Sequence, residues 1–316
     1  MRIATFRAYG SPEVLTIEEV SKPTINDNEI LVQVKVTAVT AADSRIRAAR
    51  FPKGFGFLAR LVFGITKPRV RVLGGVYSGV VADVGKAVVD FKVGDEVCGM
   101  TGAKMGAHAE YIKVGASKSI VKKPVRVSHE DAAGVLFGGT AALYFAHNKL
   151  QVAKGDTVVV NGASGAVGTN AVQLAKYYGA SVVAVTDAKN SKLVTKLGAD
   201  RVIDYTKQNL ADSPERFDVI VDAVGNISPK QAKLLLKPHG RAGLMVASLG
   251  QMLRAHGPIK TGTATEKKED IAFLLSLIEQ GELQVVIDKV YDLEQIVTAH
   301  QYVDGGHKVG NVLVRL

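Results

Sequence analysis

The spacing of apolar and polar positions changes character near Lys122. Before it, ILVQVKVTAV (30–39) is β-branched and nearly alternating, and GVYSGVVADVG and FKVGDEVCGM read as strands joined through Gly94-Asp95. Short strands separated by glycine-rich turns predict a small barrel. After Lys122 come short apolar runs: TVVV (157–160), SVVAV (181–185), RVID (201–204), FDVIVDAV (217–224) and RAGLMV (241–246). Helical patterns such as AVGTNAVQLAKYYG and NSKLVTKLG lie between them, each ending at a glycine. That order predicts an α/β unit with right-handed crossovers and a doubly wound parallel sheet covered on both faces. In the tail, EDIAFLLSLIEQ (269–280) reads as an amphipathic helix stopped by Gly281, DLEQIVTAHQYVDGG as another, and VGNVLVRL as a closing strand. The expected organisation is a barrel over 1–122, the α/β unit over 123–260, and a segment over 261–316 that returns to the first domain.

Length and composition narrow the class. A chain of 316 residues, 47% hydrophobic, has room for two domains with sizeable cores. The single cysteine, Cys98, allows no internal disulfide and no thiolate-rich zinc cage, and it fits a reducing compartment. MRIATFRAYGSPEV reaches Glu13 without an apolar run, so a signal peptide is not expected. The uncharged stretch from Ala132 to Asn148 is interrupted by glycine pairs and falls short of the roughly 20 apolar residues of a membrane span. A cytoplasmic protein with no membrane partner is expected.

The net charge of +10 sits in one place. From Ser44 to Ala82 there is no acidic residue, but there are Arg45, Arg47, Arg50, Lys53, Arg60, Lys67, Arg69 and Arg71. Outside that stretch 32 basic residues face 30 acidic ones. The excess is local, so the sum by itself implies no nucleic-acid partner.

The strongest chemical signal is TVVVNGASGAVGTNAVQLAKYYGASVVAVTD (157–187). A buried strand runs into Gly162-Ala163-Ser164-Gly165-Ala166-Val167-Gly168 and then into a helix. Small residues let the backbone turn sharply and approach a pyrophosphate, and they let the helix pack on the strand while its N–H groups face the phosphates. Cofactor choice rests on the end of the second strand, at Thr186 and Asp187. Asp187 is placed to accept from the ribose hydroxyls of NADH, whereas Lys189 would pair with the extra phosphate of NADPH and Tyr205 would hydrogen-bond it. NADPH is favoured, and NADH stays open.

These residues carry a family resemblance. The chain resembles the zinc-independent medium-chain dehydrogenase/reductases, the quinone oxidoreductase-like branch. The likeness runs through AYGSPEVLTIEEVSKPTINDNEILVQVKV, GVYSGVVADVGKAVVDFKVGDEVCGM, GGTAALYF, the glycine loop, LGADRVIDY, FDVIVDAVG and AHQYVDGGHKVGNVLV. It implies a GroES-like barrel, a Rossmann domain, a nicotinamide cleft between them, and a homodimer formed through an exposed sheet edge. The family fingerprint falls on Gly162, Ala163, Ser164, Gly165, Val167 and Gly168, and its adenosine-phosphate contacts on Lys189 and Tyr205. Thr140 would lie near the cofactor, Val224 and Ala247 would flank the nicotinamide ribose, and Asn311 would close the cleft. Zinc-dependent relatives carry a cysteine and a His-Glu pair where this chain has Thr40-Ala41-Ala42-Asp43 and Gly74-Gly75-Val76, so no catalytic metal is expected.

Without a Lewis acid, the easier reaction is hydride delivery to an activated acceptor, a quinone or an α,β-unsaturated carbonyl. Three side chains are candidates near the reacting atoms. Arg45 stands where many quinone oxidoreductases have a tyrosine, and it either binds an acidic or polar acceptor or faces water. Tyr77 is a candidate oxyanion donor or a packed core residue, and Asp43 is either catalytic or a brace at the domain junction. His108 reads as a partly exposed structural histidine, and Cys98 as a core residue. Phe51, Phe55, Phe57 and Phe63 within the basic segment suggest a wall for a planar acceptor or a packed connector. Two other readings remain: a nucleotide-sensing or RNA-binding protein that stacks bases on those aromatics, and an alcohol dehydrogenase.

Overall fold

The computed structural model describes residues 1–316. The first unit begins with β1 (Arg2–Phe6) paired antiparallel with β2 (Leu15–Glu19). β3 (Glu29–Val39) is the long central strand, as its β-branched content predicts. Thr40 and Asp43 then form a reciprocal cap that starts α1 (Ala41–Arg47), and a second short helix, α2 (Gly56–Phe63), lies in the basic segment. The remaining strands are β4 (Val76–Val84), β5 (Glu96–Met100), β6 (Tyr111–Gly115) and β7 (Ile120–Lys122). β3 pairs antiparallel with both β4 and β6, and two register shifts against β4 bend the sheet towards closure.

The second unit opens with α3 (His129–Leu143), started by the Ser128 hydroxyl, which accepts from the Asp131 N–H. It continues through β8 (Thr157–Asn161), α4 (Ala166–Tyr177), β9 (Ser181–Thr186), α5 (Ser191–Lys196), β10 (Arg201–Asp204) and β11 (Phe217–Asp222). α6 (Pro229–Leu235), β12 (Leu236–Leu244), α7 (Leu249–Arg254) and β13 (Ile259–Lys260) complete it. All six strands are parallel, in the order β10-β9-β8-β11-β12-β13. The chain winds outward from β8 in one direction and then from β11 in the other. That puts a crevice at the carboxyl ends of β8 and β11, where such sheets bind ligands.

The sequence pattern did not show α3, because glycine is a poor helix former. Packing supplies the reason for its glycines: a Cβ on Gly138 would lie 2.2 Å from the carbonyl oxygen of Ala166 at the start of α4. The pair lets α3 press against the helix that carries the glycine loop.

The tail divides between the two units. α8 (Lys268–Glu279) sends Ile271, Leu274 and Leu275 into the core that α3 shares with the parallel sheet. β14 (Ile287–Asp292), α9 (Ile296–Asp304) and β15 (Asn311–Arg315) join the barrel, where β15 pairs antiparallel with β3 and parallel with β14. The barrel sheet therefore runs β14-β15-β3-β4-β5-β7, with β6 also on β3. No helix is long and apolar enough to cross a membrane.

Candidate active site

A cavity of about 660 Å³ lies between the units, at the carboxyl ends of β8, β9 and β11 and facing α1. On the parallel-sheet side, Gly162, Ser164, Gly165, Val167 and Gly168 line it. The three glycines are there for different reasons. Gly162 has φ +82°, which a side chain rarely adopts, and a Cβ on Gly168 would lie 2.1 Å from the Gly162 carbonyl oxygen. Gly165 has an ordinary extended backbone, and its Cβ direction meets no chain atom closer than the Gly162 oxygen at 3.5 Å. No steric contact in the fold demands glycine at 165, and its bare side leaves the start of α4 open to the cavity. That opening at a helix start fits a dinucleotide pyrophosphate. Ala163 is fully buried behind the loop and does not reach the cavity.

At the adenosine end, Asp187, Lys189 and Tyr205 all line the cavity. Asp187 caps the next turn by accepting from Asn190 and pairs with Lys189 at 3.1 Å, so its carboxylate is already occupied. Lys189 and Tyr205 are exposed, so an anion can reach the Lys189 ammonium beside its Asp187 partner. Thr186 is buried and donates to the Ser164 hydroxyl at 2.9 Å; it braces the loop from behind. Val224 lines the cavity on a turn held by the buried Asp222 carboxylate, which accepts from the N–H groups of Val224 and Gly225. Ala247 and Thr140 do not line it. Ala247 is packed in the core beside β12, and Thr140 is buried with its hydroxyl donated to the Leu136 carbonyl at 2.5 Å. Phe137, one turn earlier on α3, takes the place facing the cavity.

The barrel wall corrects two candidates for chemistry. Tyr77 is fully buried in the barrel core, its hydroxyl lying against Gly99 with no hydrogen-bond partner, so it does not reach the cleft. Alternation sets this: Tyr77 pairs across from Thr37 and Gly99, on the strand face that points inward. Asp43 accepts from the Thr40 N–H and hydroxyl and from the Gly74 N–H, at 2.8, 2.6 and 2.8 Å. With both oxygens engaged and no exposure, it ties α1 to the turn before β4. Arg45, half-buried, does line the cavity, together with Thr40, Ser44 and Arg50.

Beneath α1 lies a polar network. Arg47 is 0% exposed; its guanidinium pairs with Asp304 of α9, donates to the Gly10 carbonyl at 2.6 Å, and donates to His300 Nδ1 at 3.3 Å. Asp304 also accepts from the Ser44 hydroxyl at the cavity edge. His108 is fully buried, not partly exposed, and its ring meets that of His300 edge-on with centroids 5.6 Å apart. Burial holds both imidazoles below the usual histidine range, and the neighbouring His108 and Arg47 lower His300 further.

The tail closes the cavity with Asn311, which the family resemblance put at the cleft, and with His307 and Lys308, which the sequence pattern did not single out. The Gly310 N–H donates to the Ser164 carbonyl at 2.8 Å, which fastens the 306–311 segment onto the glycine loop. His307, Lys308 and Asn311 line the cavity there, and Asn311 donates to the Val286 carbonyl at 3.0 Å. Burial pulls the Lys308 ammonium down to about 8, against the opposing pull of Asp288. The one available signal was its place beside His307 in GGHKVG, three residues before Asn311.

Comparison with known proteins places this geometry. Residues 26–156 match the alcohol dehydrogenase GroES-like domain model, and residues 197–314 match the zinc-binding dehydrogenase model. A 2-methylene-furan-3-one reductase of Solanum lycopersicum is 31% identical, and an NADPH-dependent alkenal/one oxidoreductase of Arabidopsis thaliana, chloroplastic, is 32% identical. Each match covers 99% of this chain and 79% of the relative. The chain belongs to the medium-chain dehydrogenase/reductase superfamily. Within it, the structure of the quinone oxidoreductase from Coxiella burnetii superimposes with a TM-score of 0.90 at 26% identity, covering 100% of this chain and 99% of that one.

One of the two matched models takes its description from zinc, but the donor set of this medium-chain dehydrogenase/reductase does not fit that metal. No three His, Cys, Asp or Glu side chains are placed so that they could hold a metal ion together. Cys98 is buried in the core at the base of α3, and burial pushes its thiol up to about 12. The nucleotide half, by contrast, fits NADPH, with the open face of Gly165, the exposed Lys189 and Tyr205, and Lys308 opposite.

Proposed function

We propose that this protein is a zinc-independent, NADPH-dependent reductase of quinones or α,β-unsaturated carbonyl compounds. One observation carries the reading: a single cavity joins a glycine loop open at Gly165 to a barrel wall that offers cations and hydroxyls but no metal donor set. Reduced nicotinamide, when bound, supplies hydride to an acceptor carbon already made electron-poor by its conjugated carbonyl. The chain's own part is to hold and enclose. Gly162, Gly165 and Gly168 shape the pyrophosphate seat, Lys189 and Tyr205 receive the adenosine phosphate, and Val224 covers the ribose side. Asn311 and the 306–311 segment close the cleft against water, which strengthens every electrostatic contact inside. Arg45 and Ser44 face the acceptor end, while Asp43, Thr186 and Arg47 hold the walls in position. The names of the plant relatives, a furanone reductase and an alkenal/one oxidoreductase, agree with this acceptor class. Cytoplasmic placement and a homodimer formed along the short edge strand β13 belong to the same proposal.

The test is NADPH oxidation against a panel of quinones, enals and enones, with nicotinamide fluorescence titration alongside. Saturable NADPH binding and turnover of at least one acceptor class, without a metal requirement, are expected. Absence of NADPH binding would overturn the reading.

A further inference from the structure

A smaller cavity of about 310 Å³ adjoins the main one, and Arg45 and Arg50 line both. Lys53 supplies a third cation, and Gly225, Val246 and Ser248, from the loops after β11 and β12, form the opposite wall. In the sheet order those loops lie across β8 from the loops after β9 and β10, which carry Lys189 and Tyr205. The three cations therefore stand at the end of the cleft away from the adenosine phosphate seat.

Their setting is ordered. The Arg50 N–H donates to the Arg45 carbonyl at 2.9 Å, and the Leu249 N–H donates to the Lys53 carbonyl at 3.0 Å, which fixes the segment across the domain junction. Phe51 stacks on Phe63 beside it with centroids 6.0 Å apart. Yet Arg45, Arg50 and Lys53 have no ion-pair or hydrogen-bond partner for their side chains, whereas Arg47, two residues after Arg45, is paired with Asp304. No carboxylate is available within their own segment, which is acid-free from Ser44 to Ala82. Arg45 is also half-buried, and burial disfavours its charge. A partly desolvated guanidinium without a partner is unfavourable until an anion reaches it, and a carboxylate matches its two-pronged geometry.

We propose that the smaller cavity is a carboxylate subsite, so that the acceptors of this reductase are activated carbonyl compounds that carry a carboxylate away from the reacting carbon. The proposal rests on the reductase reading and names its substrate class. Phe51 would lie along the body of the acceptor, and Arg45 would take the carboxylate with Arg50 and Lys53 at the rim.

The experiment compares an acid with its methyl ester. Binding of 7-oxooctanoic acid and of its methyl ester, both saturated and unreactive, is measured by calorimetry on NADPH-loaded protein. Turnover is followed with the unsaturated 7-oxooct-5-enoic acid and its methyl ester, in which three methylenes separate the carboxylate from the reacting carbon. The acid is expected to bind about tenfold or more tightly than the ester, with the advantage narrowing as salt is raised and appearing in KM rather than kcat. The advantage should vanish in the Arg45→Gln, Arg50→Gln double variant, return in part with Arg45→Lys, and persist in Lys67→Gln and Arg71→Gln, which remove cations elsewhere in the same segment. Equal binding of acid and ester to the native protein overturns the subsite, as does an advantage that survives the double variant. A double variant that loses NADPH affinity but keeps the acid-to-ester ratio also overturns it, by assigning the cations to the cofactor. If no acceptor oxidises NADPH, the reductase reading falls, and the binding ratio still decides the subsite.

Discussion

The glycine loop after β8 and the α1 wall opposite it shape two sides of one cavity by different means. At the loop, backbone and absent side chains do the work: Gly162 supplies a turn, Gly168 a close approach, and Gly165 an opening. At α1, side chains from distant parts of the chain meet: Asp43 reaches Gly74, Ser44 and Arg47 reach Asp304, and Arg47 reaches Gly10 and His300. A site built from backbone depends on a short local sequence. A site built from side chains depends on every element that contributes one.

The sharpest way to break this contrast is to cut the α1 network. Asp304→Ala leaves the fully buried Arg47 guanidinium without its carboxylate and should cost about 3–5 kcal/mol of stability, read from urea unfolding. A loss near zero would mean that the wall is held by packing alone. Next, Gly168→Ala forces a Cβ against the Gly162 carbonyl and Ala163, with an expected loss of about 1–3 kcal/mol. Gly165→Ala, three residues earlier, should leave the melting temperature almost unchanged while weakening NADPH binding about tenfold, measured by fluorescence titration. Equal effects of the two substitutions on stability would remove the distinction drawn between structural and ligand-facing glycines.

The two sides should also respond to opposite ends of the pH scale. His300 and His108 are held below the ordinary value of 6.5, so they fold neutral, and the unfolded chain takes up protons first as pH falls. Stability at the barrel wall should therefore decline as pH drops below about 6.5, the more so because Arg47 faces His300 while the Asp43 carboxylate opposes the effect only at His108. Thermal melts across that range would show it. On the cofactor side, Lys308 loses its proton through about 8. The KM for NADPH should rise a few-fold from neutral pH to above that value as the cation facing the dinucleotide is lost, and Lys308→Gln should flatten the rise. A profile unchanged by the substitution would assign the titration to another group.

Much of the cofactor side was legible in the sequence. Val158 to Gly168 is a contiguous strand and loop, and its chemistry follows from residue size and backbone freedom, which sequence records directly. Lys189 and Tyr205 were reachable for the same reason, since each follows a short apolar strand at a known distance. The acceptor side was legible only in part. Arg45 lines the cleft, as one of its two readings had it, whereas Tyr77, open between an oxyanion donor and a packed core residue, is turned into the barrel core by strand alternation, and His108, expected to be partly exposed, is fully buried. Thr140 and Ala247 sit one helix turn and one residue from positions that do line a cavity, Phe137 and Val246. Such offsets arise because a helix or strand faces different ways at neighbouring positions, and only packing selects the face.

The sequence by itself determined the two kinds of domain, the glycine loop, the basic segment and the lack of clustered cysteines, because periodicity and composition are properties of neighbours along the chain. The tertiary structure decided what those pieces meet. It brought β15 onto β3 and the Gly310 N–H onto the Ser164 carbonyl, buried Arg47 against an aspartate 257 residues away, and left Arg45 facing open space. Whether a cation is neutralised inside the fold or kept for a ligand depends on partners brought in from elsewhere in the chain, and within the acid-free stretch around Arg45 and Arg47 only folding could supply them.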